Sequence, residues 1–88
     1  MTKKISDHRE KIDELDLEIL ALIQNRVDEA VSIRRLKIEN GIPLFTPERE
    51  EELINRLIEK SAGHLPSDVI EDIWKAIIKG GKKTGANQ

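Results

Sequence analysis

ISDHREKIDELDLEILALIQNRVDEAVSIRRLKIE, residues 5–39, contains neither proline nor glycine, and its aliphatic residues Ile12, Leu15, Ile19, Leu22, Ile23, Ala30, Ile33 and Leu36 recur at helical spacing. That spacing aligns them on one face of a single long α-helix. Arg26 and Lys37 fall on the same face. A cation on a face that should be buried needs an anion beside it. The two are 11 positions apart (37 − 26), about three turns, so they point the same way roughly 16 Å apart along the axis. Two long cationic side chains reaching toward each other across that gap can clamp a small dianion. The competing reading is an ion pair with Asp or Glu of a neighbouring helix, or a stem laid on the core with its head in water.

The flanking segments add two shorter helices. Asn40-Gly41, with Pro43 beyond, reads as the stop of the first helix. Thr46-Pro47-Glu48 opens a second: a threonine N-cap, proline at the first helical position and an acid in the first turn. It is expected to run to about Ala62, with Leu53, Ile54, Leu57 and Ile58 on one side and Gly63 ending it. Pro66-Ser67-Asp68 starts a third, whose apolar positions are Val69, Ile70, Ile73, Trp74, Ile77 and Ile78. Gly80-Gly81 should end or fray it, since two glycines cost about 2 kcal/mol relative to alanines in a helix interior. Residues 79–88 are therefore expected to be a frayed tail of one domain spanning 1–88. No strand pattern, internal repeat or low-complexity segment is present.

Length decides the architecture. A helix of 35 residues spans about 52 Å, roughly twice either partner, so two short helices cannot cover its apolar stripe by folding back on it. A second chain can. Two copies laying their long helices together and interleaving the short ones give an all-α, intertwined six-helix homodimer. An extended two-stranded coiled coil fits less well, because Leu22 beside Ile23 and Leu36 beside Lys37 widen the stripe beyond two positions per heptad.

Composition removes other classes. The net charge of −2 with 36% charged residues leaves no basic field for nucleic acid, and Phe45 and Trp74 are the only aromatics available for base stacking. The basic tract Lys79, Lys82 and Lys83 reads as a solvated tail. Cysteine is absent, which excludes disulfides and thiolate zinc sites. No apolar run suits a signal peptide or a membrane span, so a cytoplasmic protein is expected. His8 and His64 stand alone, with no second ligand at metal spacing. No serine has histidine and carboxylate partners, and no glycine-rich phosphate loop opens a helix. Trp74 lies on the third helix's apolar stripe and reads as core.

Three further charges remain. Arg49 and Glu50 occupy the first turn of the second helix, diverging by about 100°, so one can face inward while the other is peripheral. Their alternative is plain surface charge, the reading that suits Glu48, Glu51 and Glu52. Arg9 is more than about 25 Å from Arg26 along the helix, so it can reach the same site only from a partner chain.

The ordered set Arg9-Glu-Lys-Ile-Asp13-Glu-Leu-Asp16, Arg26, Lys37, Gly41-Ile-Pro and Thr46-Pro-Glu-Arg49-Glu50 resembles the all-helical (AroQ-type) chorismate mutases over the first two-thirds of the chain. The resemblance implies an intertwined all-α homodimer that converts chorismate to prephenate, a step toward phenylalanine and tyrosine. It implies no metal and no organic cofactor. By matching position, Arg26 and the partner chain's Arg9 would hold substrate carboxylates, and Lys37 a carboxylate and the ether oxygen. Arg49 would support the site and Glu50 would accept a hydrogen bond from the ring hydroxyl. Thr46 stands where the family often has aspartate, and can still accept a hydrogen bond. The third helix departs further. Family members carry a serine and, one turn later, a glutamine or glutamate that contacts the ether oxygen; here Gly81 and Gly85 align there. Either the tail shifts so that Thr84, Asn87 or Gln88 substitutes, or the ether oxygen relies on Lys37 alone, which implies a weak mutase. Alternatives are an isochorismate-pyruvate lyase or aminodeoxychorismate mutase of the same family, or a non-catalytic helical dimerisation or regulatory module.

Overall fold

A computed structural model describes residues 4–44 and 47–84. Phe45, the expected N-cap Thr46, and the tail residues Gly85, Asn87 and Gln88 lie outside the described residues. Three helices follow in order, α1 (Ile5–Glu39), α2 (Pro47–Ser61) and α3 (Ser67–Lys83), with no strand among the described residues.

Local chemistry sets the ends of α1. At its start the Lys4 N–H donates to Asp7 Oδ2 at 3.0 Å, and the acid also faces the positive end of the helix dipole. At its end Gly41 takes φ 65°, and the Gly41 and Ile42 N–H groups donate back to the carbonyls of Ile38 and Lys37 at 3.3 and 2.8 Å. That is a Schellman stop, built on the glycine that the sequence places there. The α2 stop comes one residue earlier than expected, because Ala62 itself adopts the left-handed region (φ 50°) ahead of Gly63 (φ 83°). Ser61 holds this turn: its carbonyl accepts from the His64 N–H and its Oγ from the Leu65 N–H, both at 3.0 Å.

The Gly80-Gly81 pair does not end α3. The helix continues to Lys83, so residues 79–83 are not the frayed tail that the glycines suggest. Arg34 of α1 is the reason. Its guanidinium donates to the carbonyls of Gly81 and Thr84, groups that a helix C-terminus otherwise leaves unpaired. Thr84 closes the turn by donating from both its N–H and its hydroxyl to the Gly80 carbonyl, at 3.0 and 2.8 Å. Gly81 is buried, and a methyl group there would sit 3.7 Å from the Ala30 Cβ, so the α1–α3 spacing admits alanine but little more.

α3 packs against both α1 and α2 and joins the three helices. Its buried anchor is Ile70, 2% exposed, with Ile54 of α2 at 8%. Trp74, Ile77 and Ile78 are half-buried. α1 buries no residue fully, and its stripe stays largely in water: Ile19 is 50% and Leu22 68% exposed. The radius of gyration is 16.7 Å, where a compact domain of this length would have about 12 Å. The N-terminal half of α1 therefore projects from the bundle, an apolar face without a cover inside its own chain.

Candidate active site

The C-terminal half of α1, the first turn of α2 and the last turns of α3 enclose a cleft of about 570 Å³. This is within the usual size of a small-molecule site. Ala30, Ile33, Leu44, Leu53 and Ile78 supply its apolar surface. Arg26, Arg34, Lys37, Arg49 and Lys82 also line it, against the single carboxylate of Glu50. Five cations around one acid make an anion site.

Each element aims its charge for a local reason. Arg26 and Lys37 are half-buried on the inner face of α1, and the Schellman stop holds Lys37 in the last turn, where a cation also meets the negative end of the dipole. Arg49 and Glu50 leave the first turn of α2 at different angles: Glu50 is half-buried, and Arg49 is more exposed at the rim. Four residues singled out in the sequence, Arg26, Lys37, Arg49 and Glu50, thus share one cleft. Arg9 does not join them; it is exposed at the far end of α1, as its position in the helix requires. Thr46 lies outside the described residues.

Among the described residues the ion pairs are Lys11–Glu14 at 3.6 Å, Lys75–Glu71 at 2.6 Å and Lys82–Glu50 at 2.9 Å. None of these ties Arg26, Lys37 or Arg49 to a carboxylate of the described residues. The same residues contain no group of three or more His, Asp or Glu placed to hold a metal ion, and His8 and His64 are both exposed.

Two cleft residues were not legible as such. Lys82 belongs to the tract read as a solvated tail, yet it pairs with Glu50 across the cleft. Its signal is position: with α3 carried through the glycines, Lys82 follows Ile78 by one turn on the inner face. Arg34 lies one turn beyond Ala30, but its partners are in α3, too distant in sequence for helix periodicity to reveal.

This fold agrees with that of known proteins. The profile of the family described as "Chorismate mutase type II" matches residues 8–84. The chain belongs to that family. The solved chorismate mutase (Form II) of Thermus thermophilus superposes with a TM-score of 0.87 at 32% identity, covering 93% of each chain. The chorismate mutase of Methanocaldococcus jannaschii is 40% identical over 57 residues, 65% of this chain and 58% of that one. The T-protein of Haemophilus influenzae is 29% identical over 76 residues, 85% of this chain. This chain spans only 20% of that longer protein. Membership accounts for the all-α architecture. None of the described helices is long and apolar enough to cross a membrane.

Proposed function

We propose that the chain is a chorismate mutase, acting in the cytoplasm as an intertwined homodimer and converting chorismate to prephenate in aromatic amino acid biosynthesis. The reaction is a unimolecular [3,3] rearrangement: the ether C–O bond breaks as a C–C bond forms, and no proton, electron or acyl group is transferred. It requires no metal, cofactor or nucleophile. It requires that a flexible dianion be held in a compact, chair-like conformer and that negative charge growing on the ether oxygen be met by a fixed donor.

The cleft offers groups suited to both tasks. Arg26 would hold one carboxylate with its planar fork, and Arg9 of the partner subunit the other. Lys37 would bind a carboxylate and the ether oxygen. Glu50 would accept a hydrogen bond from the ring hydroxyl, with Arg49 and Thr46 supporting the α2 end. Ile33, Leu53 and Ile78 form the apolar walls that lower the local dielectric and strengthen these contacts. The second chain would also cover the exposed α1 stripe.

The observation that carries this reading is a cleft, in a chain of this family, where Arg26, Lys37 and Arg49 have no carboxylate of the described protein to neutralise them. The test is direct: purified protein should consume chorismate, followed by its absorbance, with prephenate as product. Isochorismate and the amino analogue are assayed in parallel. Failure to consume chorismate overturns the proposal, and preference for either analogue reassigns the substrate within the family.

A further inference from the structure

Lys82 stands apart from the other cleft cations. It comes from α3, on the turn just past the two glycines, and its ammonium lies 2.9 Å from Glu50 Oε1 on α2. Both side chains keep substantial solvent contact, 53% for Lys82 and 33% for Glu50, so the pair adds little to folding and is readily exchanged. The turn that carries Lys82 is not loose, because Arg34 binds the carbonyls of Gly81 and Thr84 on either side of it. A firmly held backbone bearing a solvent-accessible ammonium at the edge of an anion cleft is suited to meeting a ligand. Glu50 has the complementary difficulty: an oxygen occupied by Lys82 is less free to accept from a substrate hydroxyl.

We infer that Lys82 is a substrate-facing cation, held by Glu50 while the cleft is empty and transferred to a substrate carboxylate when it fills. One exchange then does two things. The dianion gains an ammonium from α3, the helix whose glycines offer no side chain, and the Glu50 carboxylate is released toward the ring hydroxyl. Because the carboxylate is present in substrate and transition state alike, the contact should act mainly on KM.

The inference rests on the proposed mutase activity, and the test keeps the two separable. Steady-state chorismate turnover and thermal melting are compared for the parent, K82M and K82R. A charge-assisted hydrogen bond to a partly exposed carboxylate corresponds to roughly a tenfold effect, so K82M should raise KM by ~10-fold, with kcat and Tm close to those of the parent. K82R should recover most of the parental KM, since it restores the charge. An active parent with an unchanged KM in K82M overturns the inference and leaves the mutase reading standing. A KM rise accompanied by a fall in Tm and not rescued by arginine also overturns it, by making Lys82 an α2–α3 strut. A parent that does not turn over chorismate overturns the mutase reading and this inference with it.

Discussion

Ile19→Ala tests whether a second chain covers the α1 stripe. Ile19 lies on the apolar stripe of the projecting half of α1 and is 50% exposed in the single chain. Full burial of an isoleucine side chain contributes about 1.5–3 kcal/mol, so covering the remaining half would add about 0.8–1.5 kcal/mol per copy. A symmetric dimer carries the substitution twice, which makes the loss about 1.5–3 kcal/mol and the dimer Kd roughly 10–150-fold weaker. Alanine is the better helix former, so α1 itself is not weakened and the effect isolates the interface. Sedimentation equilibrium over a wide concentration range reads Kd directly, and melting curves over the same range should become more concentration-dependent. Leu17→Ala is the control: Leu17 is 70% exposed but lies on the opposite side of α1 from the stripe, and its removal should leave Kd unchanged. A parent that stays monomeric at every concentration, or equal Kd values for the parent and Ile19→Ala, refutes the reasoning.

Lys37→Ala should lower kcat by ~10²-fold or more, the usual cost of removing a donor aimed at developing charge, and unchanged turnover in a folded variant would remove Lys37 from the mechanism. Gly80→Ala should raise Tm by ~4–8 °C, because an added methyl meets nothing within 4 Å and a helical glycine costs about 1 kcal/mol relative to alanine. A lower Tm would mean that the helix does not run through the glycine pair. The Lys75 ammonium, hydrogen-bonded to Glu71 at 2.6 Å, is raised above the ordinary lysine value of 10.5 by that bond and by the carboxylate's charge. The pair's small contribution to α3 is therefore whole below the unfolded lysine value and fades as pH rises through the folded one. Titration followed by NMR should show Glu71→Gln moving Lys75 back toward 10.5, and no movement would contradict the assignment.

The amino-acid sequence by itself determined the three helices and the two principal charges of the site. The α1 limits follow from an unbroken 3.6-residue period and a glycine stop, and Arg26 and Lys37 share a face because helical geometry leaves no alternative at their spacing. Such features depend on neighbours within a turn or two, so local chemistry suffices to read them. Arg49 and Glu50 were legible as candidates, but only the packing of α3 against both other helices brought them to the same cleft as Arg26 and Lys37. The end of α3 was decided entirely by tertiary structure. Propensity alone breaks the helix at Gly80-Gly81, whereas Arg34, 47 and 50 positions away from the carbonyls it binds, holds the last turn in place and with it Lys82. A local cost was offset by a distant donor, and no window of sequence short enough to show the glycines contains the arginine that compensates for them.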